Sequence, residues 1–259
     1  MTQTHALHYT DDLIAKYQLR WGKGFMSPGG SVELERMLRG INLKGLRGLD
    51  VGCGMGGYDA LMVTQHGADH VTGVDIDGAT LGKARQLSDQ QDLNDKLSFL
   101  QIGDGRLPFE DESFDFAICK NAIDDMPDKA AAFAELHRVL KPSGKLIISD
   151  LFCNDRRFHD IDDGWIEGED EVFGLETLFS ASTFIEMAGF SDLNTDDRTT
   201  WFRDYARDEY CRLKGALFTT YVKRFGVEQA RSSVETARTR WLLAEQGRLR
   251  PGHIRASKH

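Results

Sequence analysis

Glycines and acidic residues stand together where two apolar runs of the chain end. Gly52 and Gly54 follow the run that ends at Val51. Asp50 directly precedes this turn, and Asp75 ends the next apolar run. Glycines in such a turn let backbone N–H groups approach a ligand, and an acid at the next strand end can bind both hydroxyls of a ribose. The spacing therefore predicts a site for a nucleoside-containing ligand, in which Asp50 contacts a ligand amine or fixes the turn.

Two later strand ends extend the same pattern. Asp104 and Gly105 follow the third apolar run, and Lys120 and Asn121 end the fourth. An acid at the third strand end can accept a hydrogen bond from the adenine amine, and Ile76 can cover one face of the adenine. Any single acid could be a solvated loop residue, but suitable groups at four successive strand ends are not expected by chance. All of these residues are predicted to contact the ligand.

The elements that must position these residues alternate between strand and helix. Predicted strands cover residues 48–51, 70–75, 97–102, 114–120 and 145–150. Predicted helices cover residues 11–21, 31–38, 58–66, 79–91, 129–140 and 177–189. Such alternation is typical of βαβ units, so the fold class is α/β, with a doubly wound, mainly parallel sheet. Charged residues at helical spacing from 201 to 247 predict two further long helices.

The bulk composition limits the classes of partner. The 259-residue chain carries a formal net charge of -9, which argues against binding to nucleic acid or to anionic membranes. It contains no apolar run near the ~20 residues that span a bilayer. Its four cysteines are widely spaced, which predicts a reducing, cytoplasmic location, and the scattered histidines predict no metal site. The oligomeric state stays open.

The glycine turn and its neighbours resemble a known enzyme family. Residues 49–57 and 71–75 resemble motifs I and II of class I S-adenosylmethionine-dependent methyltransferases. Residues 107–115 and 136–144 resemble two later stretches of the same family, in the same order. The resemblance covers roughly residues 46–150 and implies a Rossmann-like methyltransferase fold, S-adenosylmethionine as cofactor and a small-molecule acceptor.

The ends of the chain resemble phosphoethanolamine (phosphobase) N-methyltransferases more narrowly. The similar segments are residues 8–11, Tyr17, 25–30, Arg240 and 254–258. The resemblance implies that Tyr9 gates the site and assists deprotonation. It also implies that Tyr17, Met26, Ser27 and Lys120 contact the cofactor, whereas Asn121 and Arg240 orient the acceptor.

Departures from that family predict a changed acceptor. The histidine that pairs with the lid tyrosine falls on Asp125, the tyrosine that binds phosphate falls on Leu151, and residues 167–171 are mostly acidic. A dianionic phosphate would meet acids where it needs donors. The segment 17–22 also resembles glycine and sarcosine N-methyltransferases. A small amine or amino acid is therefore the predicted acceptor, its anion being a carboxylate if Arg240 lies in the pocket.

Catalytic roles follow from the charge of such an acceptor. Asp124 and Asp125 would attract a cationic amine and accept its proton, and His8 could replace the missing histidine. Asp125 could equally cap a helix that begins near Pro127. Tyr17 could belong to an aromatic wall for a methylated ammonium, or simply to the core of a lid helix.

Three parts of the chain are predicted: an N-terminal lid of helices (1–45), an S-adenosylmethionine-binding α/β core (46–200) and a C-terminal helical segment that covers the active site (201–259). The predicted function is N-methylation of a small amine or amino acid. The alternatives are O- or C-methylation of a natural-product acceptor, a non-catalytic cofactor-binding protein and, as the most remote, a nicotinamide-dependent oxidoreductase.

Overall fold

A computed structural model describes residues 9–103, 105–154 and 175–259. They form one sheet of seven strands in the order β3-β2-β1-β4-β5-β7-β6. The strands are β1 (Arg47–Val51), β2 (His70–Asp75), β3 (Leu97–Gln101), β4 (Phe114–Lys120), β5 (Leu140–Asp150), β6 (Phe190–Asp197) and β7 (Gly252–Lys258). The first five pair in parallel, and β7 runs antiparallel to both β5 and β6. The predicted fold class is confirmed.

Helices cover both faces of this sheet. They are α1 (Asp11–Trp21), α2 (Gly30–Met37), α3 (Gly57–Thr64), α4 (Gly78–Gln90), α5 (Lys129–Val139), α6 (Leu178–Met187), α7 (Thr199–Lys214), α8 (Phe218–Phe225) and α9 (Val227–Glu245). Within the described ranges, no helix is both long enough and apolar enough to cross a membrane.

Side chains of the central strands alternate between two cores. Leu49 and Val51 face one apolar cluster, whereas Phe116 and Ile118 belong to the cluster on the other face. A strand that is buried on both faces reads as a continuous apolar run, which explains why these strands are recognisable in the sequence. Gly48 makes room for the Phe116 ring, because a Cβ at Gly48 would lie 2.1 Å from Phe116 Cζ.

The strand order reverses between β1 and β4, and this reversal opens the crevice that holds the site. In the register of the sheet, Val51 pairs with Val74 of β2 and with Cys119 of β4. The carboxyl ends of the three strands therefore meet at one edge of the sheet. Ligands of open α/β sheets bind in such a crevice, outside the carboxyl ends of the strands.

The C-terminal part of the chain differs from its sequence-based description in two ways. Residues 201–247 form parts of three helices rather than two, because Gly226, with φ +88°, ends α8 before α9 begins. β6 and β7 were not predicted, and β7 places the end of the predicted helical segment 201–259 inside the sheet. β7 was not recognised in the sequence because several of its residues are polar. These residues are buried with partners: His253 contacts Glu33, and Arg255 donates to Asn194.

Candidate functional site

Two adjoining cavities lie at the carboxyl edge of the sheet. The first, which we name the glycine-loop cavity, is lined by the turn after β1 and by the ends of β2 and β4. The second, the aromatic cavity, is lined mainly by α1, by the turn after β4 and by one residue each from α7 and α9. The residues that line both cavities are Tyr9, Met26, Ser27, Asn121 and Asp125. A molecule in one cavity would therefore contact the same side chains as a molecule in the other.

The glycine loop is shaped by backbone that only glycine adopts without strain. Gly52 and Gly54 have φ values of +76° and +54°. A Cβ at Gly52 would lie 2.3 Å from the Cβ of Ala122, so the turn after β4 packs directly against this loop. The Gly54 N–H donates to Asp75 Oδ2 over 2.9 Å, and the Asp77 N–H donates to Asp75 Oδ1 over 3.0 Å. These contacts hold the Asp75 carboxyl group against the cavity that it lines.

Asp50 brings a buried acid beneath the same loop. Asp50 is only 3 % exposed, and its Oδ1 has no hydrogen-bond partner among the described residues. Asp59, in the first turn of α3, is fully buried beside it. Burial raises the pKa of Asp50 well above its usual range, with a further rise from Asp59, and burial raises the pKa of Asp59 to about 7. Two carboxyl groups buried side by side do not both ionise readily, and Asp50 alone of the pair lines the glycine-loop cavity.

Lys120 and Asn121 end β4 between the two cavities. Lys120 Nζ donates to Asn121 Oδ1 over 2.7 Å and lies 5.5 Å from the centre of the Tyr58 ring. Burial lowers the pKa of Lys120 to about 8. Asn121 has a left-handed backbone, with φ +51°, which directs the chain sharply away from the sheet. Strained backbone of this kind is concentrated at functional sites.

Carboxyl groups dominate the turn after β4. Burial and the neighbouring Asp150 raise the pKa of Asp125 to about 7, and Asp125 lines both cavities. Asp150, at the end of β5, accepts from the Ile123 N–H over 2.9 Å and from the Leu151 N–H over 2.7 Å. Asp125 does not cap the next helix: the cap is Asp128, which accepts from the N–H of Ala131. Asp125 thus faces the site instead of closing a helix.

Aromatic rings form one wall of the aromatic cavity. Tyr17 and Trp21 stack with their ring centres 4.5 Å apart, and Tyr9 meets Tyr17 edge-on at 6.5 Å. Tyr17 lines this cavity and not the glycine-loop cavity, which separates it from the other predicted cofactor residues. The structure therefore places Tyr17 in the aromatic cavity and away from the glycine loop.

Arg240 lines the aromatic cavity, and its guanidinium forms an ion pair with a buried carboxylate. Its Nη1 donates to Oε1 of Glu209 over 3.2 Å, and its guanidinium lies 5.9 Å from the centre of the Trp21 ring. Arg240 and Leu151 line the cavity together with Asp124. The structure places Arg240 in the lining of the aromatic cavity. Its ion pair with Glu209 was not predicted from the sequence.

Most of the predicted site residues converge on these cavities. Ile76 lines the glycine-loop cavity with Gly52, Gly54 and Asp75, whereas Gly105 lines neither cavity. His8 and Asp104 lie outside the described residues. Sequence reasoning missed three acids: Asp59, Asp150 and Glu209. Asp150 could have been found by the rule that identified Asp75, since it also ends a parallel strand, but no local pattern marks Glu209.

Comparison with known proteins gives this geometry a family. Residues 49–148 match the family model described as a methyltransferase domain. These residues form a methyltransferase domain. The matched span contains the glycine loop, Asp75, the turn after β4 and most of the parallel sheet.

Relatives of this methyltransferase domain act on different atoms. The chain is 29% identical over 210 residues to phosphoethanolamine N-methyltransferase 1 of Arabidopsis thaliana, which covers 80% of this chain and 42% of the relative. It is 36% identical over 163 residues to sterol 24-C-methyltransferase ERG6B of Gibberella zeae, covering 59% of this chain and 41% of the relative. This chain thus spans about two fifths of the length of these curated relatives.

A solved structure matches the methyltransferase domain and its flanking helices together. Phosphoethanolamine N-methyltransferase 2 of Haemonchus contortus, in complex with phosphomonomethylethanolamine and S-adenosylhomocysteine, superposes with a TM-score of 0.86 at 22% identity. The match covers 96% of this chain and 58% of that chain. Taken together, the comparisons confirm the predicted relationship to class I S-adenosylmethionine-dependent methyltransferases and to the phosphobase N-methyltransferases.

Proposed function

We propose that this protein transfers a methyl group from S-adenosylmethionine to the nitrogen of a small amine. The observation that carries the proposal is the pair of adjoining cavities with five shared lining residues, Asp125 among them. One cavity is built from a glycine loop and strand-end acids, and the other from carboxyl groups and aromatic rings. Such a pair brings a donor and an acceptor into contact in a fixed orientation, which is the main requirement of a group-transfer enzyme.

The glycine-loop cavity fits the cofactor. Gly52 and Gly54 line the cavity with backbone and no side chain, and Asp50 presents a buried oxygen atom without a partner among the described residues. We assign Asp75 and Ile76 to the ribose and adenine, and Asp50 to the cofactor amine. Met26, Ser27 and Lys120 would close the cavity, with Asp104 and Gly105 near the adenine. When bound, S-adenosylmethionine supplies an electrophilic methyl group on a positively charged sulfur.

The aromatic cavity favours a positively charged acceptor. Asp124 and Asp125 supply negative charge, and the rings of Tyr17 and Trp21 attract a cation through their faces. A protonated amine must lose its proton before its nitrogen can attack a methyl group. Asp125, whose pKa burial raises to about 7, is matched to accept that proton near neutral pH.

Tyr9 is assigned as the gate between the two cavities. It lines both of them and packs edge-on against Tyr17. Its hydroxyl group would orient the acceptor nitrogen and pass its proton toward Asp125 or His8. Asn121 and Arg240 would orient the remainder of the acceptor. In this arrangement described residues of the predicted lid (1–45) and residues of α7 and α9 enclose the acceptor over the core (46–200), whereas β7, at the end of the predicted segment 201–259, belongs to the sheet.

Methylation of carbon is the second candidate, because a sterol 24-C-methyltransferase is among the relatives. A sterol needs a long apolar cavity, whereas this one carries Asn121, Asp124, Asp125 and Arg240 in its lining. The polar lining favours the amine.

The free state of all four cysteines agrees with a reducing compartment, and we propose the cytoplasm.

The decisive experiment combines binding with a product screen. Calorimetric titration with S-adenosylhomocysteine tests the cofactor cavity, and mass spectrometry of reactions with primary, secondary and phosphorylated amines tests the acceptor. We expect tight binding and a gain of one methyl mass on an amine. Binding without any amine product would reject the proposal in favour of a carbon or oxygen acceptor, and absence of binding would reject the cofactor assignment.

Matched variants tie the reaction to the site. Asp125→Asn should remove most of the product while S-adenosylhomocysteine still binds. Asp128→Asn changes the same side chain three residues later, at a helix cap that lines neither cavity and that asparagine also satisfies. Equal loss of product in both variants would contradict a specific role for Asp125.

A further inference from the structure

Glu209 lies buried in α7 and contacts residues from two other helices. Only 2 % of the residue is exposed. Its Oε1 accepts from Arg240 Nη1 of α9 over 3.2 Å, and its Oε2 accepts from the indole N–H of Trp21 of α1 over 3.0 Å. Arg20 Nη1 lies 3.8 Å from Oε1. One carboxylate therefore joins the N-terminal helix to the C-terminal helices.

Glu209 acts on the aromatic cavity from behind its wall. Trp21 and Arg240 both line the cavity, whereas Glu209 does not. The indole of Trp21 is oriented by its hydrogen bond to Glu209 and stacks on Tyr17. The guanidinium of Arg240 is positioned by the same carboxylate. Hence Glu209 sets both the shape of this wall and its charge.

The charge of the wall decides which acceptors the cavity tolerates. Arg240 contributes a positive charge to the lining, and Glu209 offsets it from a distance of 3.2 Å. An anion in the cavity would be attracted by Arg240 and, from behind the wall, by Arg20, and it would be repelled by Glu209, Asp124 and Asp125. Inside a protein such interactions are stronger than in water, and repulsion grows with each unit of negative charge on the ligand. A dianionic phosphate is therefore penalised more than a carboxylate or a neutral group.

We infer that Glu209 determines acceptor specificity: by offsetting Arg240 it makes the aromatic cavity select amines without a phosphate group over phosphorylated amines. Glu209 is a positioning residue, since it touches the cavity wall and not the acceptor. The inference rests on the proposed function, because it treats the aromatic cavity as the acceptor site.

The test compares two ligands that differ by one phosphate group. The affinities of ethanolamine and phosphoethanolamine are measured by calorimetry on the full chain saturated with S-adenosylhomocysteine. Glu209→Gln removes the charge but keeps an oxygen acceptor for the Trp21 indole. We expect this variant to shift the ratio of the two affinities at least tenfold toward phosphoethanolamine. An unchanged ratio would overturn the inference, and so would loss of both ligands in a variant that still binds S-adenosylhomocysteine.

Two further variants separate charge from structure. Glu235→Gln removes the same charge from an exposed position of α9, where Glu235 pairs with Arg238 at 3.8 Å, and should leave the ratio unchanged. Arg240→Gln should shift the ratio in the opposite direction to Glu209→Gln. A purely structural role for Glu209 predicts instead that both ligands and S-adenosylhomocysteine bind more weakly by the same factor. If Glu209→Gln does not fold, the double variant Glu209→Gln/Arg240→Gln decides the question: offset charges predict a ratio near that of the unchanged protein, and a ratio equal to that of Arg240→Gln alone would overturn the inference.

The outcome is distinguishable from failure of the proposed function. If the amine screen gives no product in any form of the protein, the proposed function fails whatever the binding ratio. If a product forms and the ratio does not respond to Glu209→Gln, the inference alone fails.

Discussion

The glycine-loop cavity and the aromatic cavity share five residues, yet they are built in different ways. The first uses backbone conformation and the ends of adjacent parallel strands, all within residues 50–127 apart from the segment at 9–27. The second gathers side chains from α1, α7, α9 and the turns after β4 and β5. Its residues in α1 and α9 are separated by more than 200 residues of chain. The comparison teaches that this fold builds the glycine-loop cavity from the sheet and leaves the aromatic cavity to the surrounding helices and turns.

A change in the glycine loop should have the largest effect and should weaken binding of the cofactor. Gly52→Val adds a Cβ that would lie 2.3 Å from Ala122 Cβ, at a φ of +76° that valine avoids. We expect affinity for S-adenosylhomocysteine to fall by roughly 100-fold or more, since the backbone must move away from the ligand. Calorimetry measures the loss.

Gly82→Ala is the matched control for this change. A Cβ at Gly82 meets nothing within 4 Å, and the residue lies inside α4. Alanine should leave affinity unchanged and stabilise the helix by about 0.5–1 kcal/mol. If Gly52→Val binds S-adenosylhomocysteine as tightly as Gly82→Ala, the glycine loop is not the donor site.

Loss of Asp125 should affect the reaction at the junction of the two cavities. Asp125 has a pKa of about 7 and must be ionised to accept a proton, so activity should rise from pH 6 to pH 8. In Asp125→Asn we expect roughly a 100-fold lower kcat/KM at pH 8, in the range of general-base effects. The rise near pH 7 should also disappear. A rise that persists in the variant would assign the titration to another group.

Tyr9→Phe should separate turnover from cofactor affinity. Tyr9 lines both cavities, and removal of its hydroxyl group leaves the ring contact with Tyr17 in place. We expect kcat to fall about tenfold, which corresponds to about 1.4 kcal/mol, the contribution of one ordinary hydrogen bond. Affinity for S-adenosylhomocysteine should change less than about threefold, which corresponds to less than 1 kcal/mol. Equal losses in both quantities would argue against the gating role.

Trp21→Phe should produce the smallest effect, and only on the acceptor side. Phenylalanine keeps an aromatic ring beside Tyr17 but loses the indole N–H that donates to Glu209. We expect KM for the amine to rise about fivefold, equal to about 1 kcal/mol, which is typical of one hydrogen bond. A matching change in S-adenosylhomocysteine affinity would show that the two cavities are not energetically separate.

The first 150 residues were predictable because their signals are local. Parallel strands buried on both faces form apolar runs, and the glycine turn sits directly after one of them. Four predicted strands agree with the structure to within one residue, and the fifth, predicted at 145–150, begins earlier, at Leu140. β7 was missed for the opposite reason. Its buried side chains include histidine, arginine and lysine, which are usually exposed, and only their distant partners explain the burial.

By itself the sequence determined the five parallel strands, the glycine loop and the acids at the strand ends, because strand periodicity and turn chemistry act over a few neighbouring residues. Only the tertiary structure decided the charge of the aromatic cavity. Burial sets the pKa of Asp125, and Glu209 meets Trp21 and Arg240 across 188 and 31 residues of chain. Charge in a protein interior depends on which groups the fold brings within a few ångströms, and no local pattern encodes that proximity.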